Sequence, residues 1–244
     1  MNRNPLNWLR LAQPHQTCRH CHAFTPSGGL CAPCQNALQD TRLRCFRCAL
    51  PLNDPAGICG ECIANPPAFE QTVCADSYRP PVSHWLQNFK DSRDLRDGHL
   101  LSQRLIQRVK SLYCTDDLPH YLIPVPLHWR RALWRNFNQS SWIARQLSKE
   151  LHIPALHCLH RTRPGGDQRH LSRQDRLRNL RGVFKLADNP AIRQQLQQRH
   201  VAVIDDVITT TATARAISSE LRRQGAARID IWSLARTDKT HLSD

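Results

Sequence analysis

Residues 200–213, HVAVIDDVITTTAT, carry most of the information about the architecture of this protein. The apolar run at 201–204 is typical of a strand buried inside a sheet. Two adjacent carboxylates, Asp205 and Asp206, follow this run, and a threonine-rich turn at 209–213 leads into a helical pattern. A strand, an acidic pair and a turn into a helix predict an α/β sheet whose ligands bind beyond the carboxyl ends of its strands.

The chemistry of this turn suits a phosphorylated sugar. The N–H groups at the start of a helix are unpaired, and the positive end of the helix dipole attracts an anion such as phosphate. Carboxylates accept hydrogen bonds from sugar hydroxyls, so the two features together predict a pocket for a ribose 5-phosphate. The simpler alternative is an ordinary helix after a strand, with the threonines as capping residues.

Eight of the eleven cysteines lie between residues 18 and 62, in four C-x-x-C pairs. A two-residue gap lets one tight turn, here called a knuckle, direct both sulfurs at one ion, and two knuckles complete the tetrahedral shell that Zn2+ prefers. The sequence therefore predicts two zinc ribbons with closed, structural sites. The predicted ligands are Cys18, Cys21, Cys31, Cys34, Cys45, Cys48, Cys59 and Cys62.

The spacing leaves the pairing of the knuckles open. We assume sequential pairing, in which the first knuckle joins the second and the third joins the fourth, but a crossed pairing of the first and third also fits. Free thiols or a redox-active C-x-x-C are the alternatives to a metal, although no strand–helix–strand pattern surrounds these pairs.

The composition of the 244-residue chain limits the class of protein. Hydrophobic residues make up 40%, which is enough for a packed core. The 34 Lys and Arg outnumber the 20 Asp and Glu, and the net charge of +14 favours a polyanionic partner such as nucleic acid or a phosphate ester. No apolar run approaches the length of about 18 residues that suggests a membrane span, and the N-terminus lacks the apolar core of a secretory signal. We therefore expect a cytoplasmic protein, in which cysteines stay reduced or bind metal.

Paired prolines after the last knuckle predict a domain boundary. We expect a double zinc ribbon at 1–64, a linker at 65–82 and a sheet domain at 83–240. In the sheet domain, stretches with apolar residues at helical spacing alternate with short apolar runs. This alternation predicts a mostly parallel sheet with helices on both faces.

The acidic pair and the threonine turn together resemble the phosphoribosyl pyrophosphate (PRPP) motif of type I phosphoribosyltransferases. In that family the two acids contact the ribose hydroxyls and the loop holds the 5-phosphate. The resemblance implies that Asp205 and Asp206 are catalytic and that the phosphate lies on the loop residues Thr209, Thr210, Thr211, Ala212 and Thr213. The family normally has Gly at the position of Thr211, where Gly permits any φ and a close backbone approach.

Other parts of the sequence are similar to ComF family proteins, which are known from competence and DNA uptake. Residues 123–139, IPVPLHWRRALWRNFNQ, resemble the P-V-P-L…R-G-F-N-Q block of the family, and residues 161–184 resemble its R-x-R…Q-x-x-L-S…R-x-x-N…F block. Lys90 stands where the family has a comparable lysine, and a double zinc ribbon also belongs to the family. The resemblance extends from about Cys18 to Arg236 and implies a type I phosphoribosyltransferase-like sheet domain behind the ribbons.

This resemblance also implies ligands and partners. PRPP would bind with Mg2+ bridged by substrate oxygens, and Arg130, Arg131 and Arg135 are candidates for the pyrophosphate. Single-stranded DNA and competence or DNA-uptake proteins are the implied partners. The arginine-rich segment 161–181 is either a solvated surface, a loop that closes over pyrophosphate, or a contact for DNA phosphates.

Three functions remain open at this stage. The first is a ComF-type protein that binds PRPP and single-stranded DNA and acts in the uptake or use of exogenous DNA. The second is an active phosphoribosyltransferase with a nucleobase-like acceptor, and the third is a non-catalytic zinc-ribbon protein that binds nucleic acid. Aromatic residues such as Phe137 and Trp142 either stack on bases or belong to the core.

Overall fold

The computed structural model describes residues 16–26, 28–53, 57–127, 137–162 and 182–238. Both acids of the PRPP-like motif, the threonine turn and all eight knuckle cysteines belong to these ranges. Most of the arginine-rich segment lies outside the described residues, and so do the three pyrophosphate candidates Arg130, Arg131 and Arg135.

The strands form one main sheet and one small pair. In chain order they are β1 Gln71–Ser77, β2 Tyr121–Pro124, β3 Leu159–Arg161, β4 Phe184–Leu186, β5 His200–Ile208 and β6 Arg228–Arg236. The main sheet has the order β1-β6-β5-β2, and all of its neighbouring strands are parallel. β3 and β4 form a separate antiparallel pair.

Helices connect these strands. In the described residues they are α1 Ala32–Ala37, α2 Gly60–Ala64, α3 Val82–Gln87, α4 Leu95–Leu112, α5 Gln139–Leu151, α6 Pro190–Leu196 and α7 Ala212–Arg223. A π-helical turn, Asn88–Ser92, continues α3, and a 3-10 turn, Thr115–Asp117, follows α4.

Strand β5 supplies side chains to two separate cores. Val201 and Val203 are fully buried in the core that contains α7 and the β3–β4 pair. Ala202 and Ile204 are fully buried in the core that contains α3, α4 and α5. Successive side chains of a strand point to opposite faces, so helices cover both faces of the sheet. The predicted fold class, an α/β parallel sheet with helices on both faces, is confirmed.

The segment predicted as a linker takes part in the sheet. Residues 71–77 of the 65–82 stretch form β1, which pairs in parallel with β6 from Gln71↔Asp230 to Ser77↔Arg236. Paired prolines flank this strand on both sides, and they mark its ends rather than one long unstructured connection. The division into a ribbon domain and a sheet domain stays a prediction.

The cysteine knuckles lie in two small ribbons ahead of the sheet. Single antiparallel bridges, Thr17↔Phe24 and Arg44↔Pro51, close a turn around the first and third knuckles. The short helices α1 and α2 begin directly after the first cysteine of the second and fourth knuckles.

Polar contacts dock the ribbons onto the sheet domain. Arg19 of the first ribbon donates to Asp97 of α4 at 2.8 Å and also pairs with Asp94 at 3.2 Å. Arg44 of the second ribbon donates to the hydroxyl of Ser77, the last residue of β1, at 2.7 Å. The two ribbons are therefore anchored at different places, the first at the start of α4 and the second at the end of β1.

The two aromatic residues that were left open between core and base stacking, Phe137 and Trp142, are partly buried and pack against the core. Phe137 and Trp142 pack against the buried Phe89, with ring centroids 5.6 and 5.2 Å away. Among the described residues, no helix has both the length and the apolar composition needed to cross a bilayer.

Candidate functional site

The turn after β5 has an unusual backbone at Thr211. β5 ends at Ile208 and α7 begins at Ala212, so the connection is only three residues long. Thr211 is the N-cap of α7 and has φ 61° and ψ 1°, in the left-handed region. This is the conformation that a glycine accepts without cost and a β-branched residue rarely adopts. The backbone at Thr211 therefore has a conformation that favours glycine, although this chain has threonine there.

The start of α7 has no side-chain cap from Thr211. The threonine hydroxyl instead accepts a hydrogen bond from Nε of Arg215, one turn further along the helix, at 3.2 Å. The longer helices α4 and α5 begin differently, because Asp94 and Asn138 at their N-caps accept a backbone N–H of the first turn. The first turn of α7 is thus available to an external anion.

The two acids at the end of β5 have different surroundings. Asp206 forms an ion pair with Lys90, whose Nζ lies 2.9 Å from Oδ2. Burial lowers the pKa of Lys90, but the charge and hydrogen bond of Asp206 outweigh it, so the pKa is raised. Lys90 lies on the π-helical turn after α3, which brings it to the carboxyl edge of the sheet.

Asp205 is the acid whose protonation is perturbed. Burial and the neighbouring charge of Asp206 raise the pKa of Asp205 to about 7, against a hydrogen bond from the backbone N–H of Asp206. That N–H donates to Oδ1 of Asp205 at 2.9 Å. A perturbed carboxyl at the carboxyl edge of a parallel sheet is typical of a functional site.

A buried acid at the opposite edge of the sheet shows the contrasting case. Asp230 of β6 accepts hydrogen bonds from Tyr113 at 2.7 Å and Gln71 at 3.1 Å, and lies 2.8 Å from Nε2 of His200. Burial raises the pKa of Asp230, but the hydrogen bonds of His200 and Tyr113 outweigh it and lower the pKa overall. This cluster lies at the amino edge of the sheet and stabilises the fold.

Two hollows lie at the carboxyl edge. The first, of about 30 Å³, lies inside the threonine turn and is lined by Asp205 and residues 207–214. A buried water needs at least about 10–15 Å³ of such space, so this hollow has room for about one or two water molecules. The second hollow has a volume of about 310 Å³ and is lined by Pro124, Pro126, Leu127, Phe137, Asn138, Ser141, His157 and Leu159.

The structure settles which knuckles lie together. One group contains Cys18, Cys21, Cys31 and Cys34, and the other contains Cys45, Cys48, Cys59 and Cys62, with all sulfurs of a group within 4.8 Å of one another. The pairing is therefore sequential, as assumed, and the crossed arrangement is wrong.

The sulfur distances fit a tetrahedral zinc site. A Zn–S bond of about 2.3 Å places two sulfurs of a tetrahedron about 3.8 Å apart. Sγ of Cys21 lies 3.7 Å from Sγ of Cys31, and Sγ of Cys48 lies 3.6 Å from Sγ of Cys59. Each group offers four sulfur ligands, which leaves no open coordination position, so the donor set suits a structural rather than a catalytic ion.

One thiol in each group has a lowered pKa, which favours its thiolate form. A hydrogen bond from Cys48 lowers the pKa of Cys45 to about 4 against the effect of burial, and the N–H of Cys59 also donates to its sulfur at 3.2 Å. Burial raises the pKa of Cys18, but backbone hydrogen bonds, led by that of Cys21, lower it to about 6. Thiolates are the form that binds metal.

Sequence reasoning missed a buried arginine beside the threonine turn. Arg236 is the last residue of β6 and is only 3% exposed. Its Nη1 donates to the carbonyls of Ile208, at 3.1 Å, and of Thr209, and its Nε donates to the carbonyl of Cys48 at 3.0 Å. The signal in the sequence is a charged residue that ends an otherwise mostly apolar strand, next to the acidic strand in the sheet.

Comparison with known proteins identifies the family. The chain is 35% identical to the DNA utilization protein YhgH of Escherichia coli K12 over 213 residues, which are 86% of this chain and 91% of the relative. It is 34% identical to competence protein F of Haemophilus influenzae over 224 residues, which are 90% and 96% of the two chains. The chain belongs to the ComF family. The family membership that the sequence resemblance implied is thus confirmed.

Comparisons with family models and solved structures add less. No family model matches the sequence. The ComF chain is similar to glutamine PRPP amidotransferase from B. subtilis complexed with ADP and GMP, with 19% identity and a TM-score of 0.37 over 56% of this chain and 26% of the other. It is also similar to purine phosphoribosyltransferase from Pyrococcus horikoshii Ot3, with 15% identity and a TM-score of 0.33 over 56% and 80%.

Proposed function

We propose that this ComF protein binds PRPP at the carboxyl edge of its sheet and acts in the uptake or use of exogenous DNA. The observation that carries the proposal is the end of β5, where an acidic pair lies two residues before the last residue of the strand and a three-residue turn leads to an uncapped helix start. The names of its relatives, DNA utilization protein and competence protein, support the biological role.

The acids of β5 and the residues of the turn would bind different parts of PRPP. The carboxylates of Asp205 and Asp206 would accept hydrogen bonds from the two ribose hydroxyls, since ionised carboxylates are acceptors only. The backbone N–H groups at the start of α7 and the threonine hydroxyls would hold the 5-phosphate. In this assignment the phosphate ligands are Thr209, Thr210, Thr211, Ala212 and Thr213.

The family resemblance, rather than the placement of described residues, suggests the remaining ligand groups. Arg130, Arg131 and Arg135 are proposed to bind the pyrophosphate, and Mg2+ would enter with the substrate and supply charge neutralisation to its oxygens. The two cysteine groups are proposed to hold one structural Zn2+ each. The net charge of +14 supports single-stranded DNA as the polyanionic partner.

Titration with PRPP and Mg2+ at pH 8, where Asp205 is ionised, tests the proposal. We expect saturable binding by the wild type and a loss of affinity of at least about tenfold in Asp205→Asn and in Asp206→Asn, because each loses a charged hydrogen-bond acceptor. Asp188→Asn, at an exposed carboxylate in the turn before α6, is the matched control and should bind like the wild type. If the wild-type protein does not bind PRPP, the proposal is wrong, and the function that remains is that of a non-catalytic zinc-ribbon protein that binds nucleic acid.

The larger hollow favours catalysis as a second candidate function. Its volume of about 310 Å³ and its lining by Phe137 and Asn138 suit a nucleobase-like acceptor. Asn138 is held in place, because its side chain donates to the carbonyl of Val125, just beyond β2. A ring nitrogen of the acceptor would form the bond to C1 of the ribose as the bond to pyrophosphate breaks. Pyrophosphate released on mixing with PRPP and a panel of bases would support this function, and PRPP binding without release would exclude it for those bases.

A further inference from the structure

The buried Arg236 joins the second ribbon to the threonine turn. Its guanidinium donates to the carbonyl of Cys48 in the third knuckle and to the carbonyls of Ile208 and Thr209 at the start of the turn. A fourth bond goes to the carbonyl of Thr237, at 2.8 Å. One side chain therefore contacts a metal-binding segment and the proposed phosphate loop.

Hydrogen bonds to backbone carbonyls compensate for the burial of the positive charge of Arg236. Among the residues that the structure describes, no carboxylate lies within ion-pair distance of this guanidinium. A buried charge is expensive unless its donors are satisfied, so the three segments that supply the carbonyls must keep their relative positions. The rigid fork of an arginine fixes those positions more closely than a lysine would.

A second arginine, Arg215, also lies between the threonine turn and the second cysteine group. Nε of Arg215 donates to the hydroxyl of Thr211, the residue with the positive φ, and its Nη2 lies 3.9 Å from Oε1 of Glu61. Glu61 lies between Cys59 and Cys62, inside the fourth knuckle. Arg236 is thus hydrogen-bonded to the third knuckle and to the turn, whereas Arg215 is hydrogen-bonded to the turn and lies only within ion-pair distance of the fourth knuckle.

The first cysteine group is docked elsewhere. Arg19, next to Cys18, pairs with Asp94 and Asp97 at the start of α4. These contacts do not involve the threonine turn, so the two metal sites differ in what they support.

We propose that the ion in the second cysteine group sets the shape of the threonine turn, with Arg236 and Arg215 as the positioning residues. The description of this turn as a phosphate loop rests on the proposed function, whereas the mechanical connection does not. Because coupling between two binding sites is reciprocal, a ligand on the turn should also raise the affinity of the second group for zinc.

Amide hydrogen exchange of the zinc-loaded protein tests the connection without any ligand. In Arg236→Met, and to a smaller extent in the less buried Arg215→Met, we expect the amides of residues 209–213 to exchange at least about tenfold faster, since local opening becomes easier. Arg19→Met is the matched control, because it removes an arginine that docks the other ribbon, and the turn should exchange as in the wild type. Unchanged exchange of the turn in both Arg236→Met and Arg215→Met would overturn the proposal.

A metal-site variant tests the role of the ion itself. Cys62→Ser should lower the zinc content from two to one per chain and accelerate exchange at 209–213, while the amides of 201–204 stay protected. Loss of that zinc with an unchanged turn would overturn the proposal, and if the variant does not fold, which fast exchange at 201–204 would show, the arginine variants decide. PRPP affinity measured on the same proteins keeps the two ideas apart: wild type that does not bind PRPP contradicts the proposed function, while the exchange rates still decide the coupling.

Discussion

At the scale of single residues, Thr211 places a β-branched side chain on a backbone conformation that favours glycine. Its φ of 61° places a β-branched residue in the left-handed region. Contacts with Cβ make this region unfavourable for L-residues by about 1–2 kcal/mol. The surrounding structure compensates, since Thr211 is buried and its hydroxyl accepts from Arg215.

Substitution of Thr211 should reveal this strain. We expect Thr211→Gly to be more stable than Thr211→Ala by about 1 kcal/mol, because both lose the hydroxyl but only glycine accepts the positive φ freely. Urea denaturation of the two variants measures the difference in the free energy of unfolding. Thr213→Gly is the control within α7, and there glycine should cost about 1 kcal/mol relative to Thr213→Ala. Equal stability of the two Thr211 variants would contradict a left-handed backbone.

The raised pKa of Asp205 predicts a pH dependence of stability. Because its pKa is about 7 in the folded protein and 3.8 ordinarily, the folded carboxyl keeps a proton that the unfolded chain releases between these values. The contribution of this group to the free energy of unfolding should therefore fall as the pH rises from about 4 to 7.

Denaturation of wild type and Asp205→Asn at pH 5 and pH 8 measures this effect. The difference in stability between the variant and the wild type should shift in favour of the variant at pH 8, since asparagine does not titrate. Asp188→Asn, whose carboxylate is exposed, should show no such shift. The same difference at both pH values would mean that Asp205 is ionised throughout this range.

At the scale of elements, the start of α7 differs from the starts of α4, α5 and α6. Those helices are capped by the side chains of Asp94, Asn138 and Asn189, which accept backbone N–H groups. Thr211 makes no such bond, so α7 forgoes a cap worth about 1 kcal/mol. A bound phosphate would satisfy the same N–H groups, which is the reason to place the anion there.

A negative charge in the first turn of α7 should separate stability from binding. Thr213→Asp is expected to leave the free energy of unfolding unchanged or raise it by up to about 1 kcal/mol through the helix dipole. The same charge repels phosphate and should weaken PRPP binding by at least about tenfold. Ala191→Asp in the first turn of α6 is the matched control, with a similar effect on stability and none on binding. Unweakened PRPP binding in Thr213→Asp would place the phosphate elsewhere.

At the scale of the whole molecule, each edge of the sheet holds an acid, and the surroundings shift the pKa of the two acids in opposite directions. The amino edge holds Asp230 in hydrogen-bonding contact with Tyr113 and His200, where its pKa is lowered. The carboxyl edge holds Asp205 with a raised pKa beside the uncapped helix. The ribbons also differ, because all four cysteines of the second group are buried, whereas Cys21 of the first is exposed.

This difference in burial predicts the order of zinc loss. Elemental analysis should find two zinc ions per chain, and a chelator should remove the ion of the first group faster than that of the second. We expect the two rates to differ by at least about tenfold, because the second ion leaves only when its buried segment opens. Absorbance of a chelator–zinc complex, followed on wild type and Cys21→Ser, assigns the phases, and the fast phase should be absent from the variant. Loss of the slow phase instead would reverse the assignment.

Local patterns were sufficient to predict much of this molecule. The run at 201–204 and its acidic pair predicted a buried parallel strand, and C-x-x-C spacing predicted two groups of four sulfurs, because strand periodicity and ligand geometry depend on residues close in the chain. The alternation of helical spacing with short apolar runs likewise predicted helices between the strands. The strand at 71–77 was missed because its partner, β6, lies far along the chain, and an edge position is a property of the assembled sheet.

Contacts between distant segments could be known only from the folded chain. The sequential pairing of knuckles, the ion pair of Lys90 with Asp206 and the raised pKa of Asp205 all depend on groups brought together by packing. Arg236 is the clearest example, since 188 positions separate it from Cys48. Short-range spacing specifies elements and ligand sets, whereas burial and long-range neighbours set the charge state and orientation of a side chain.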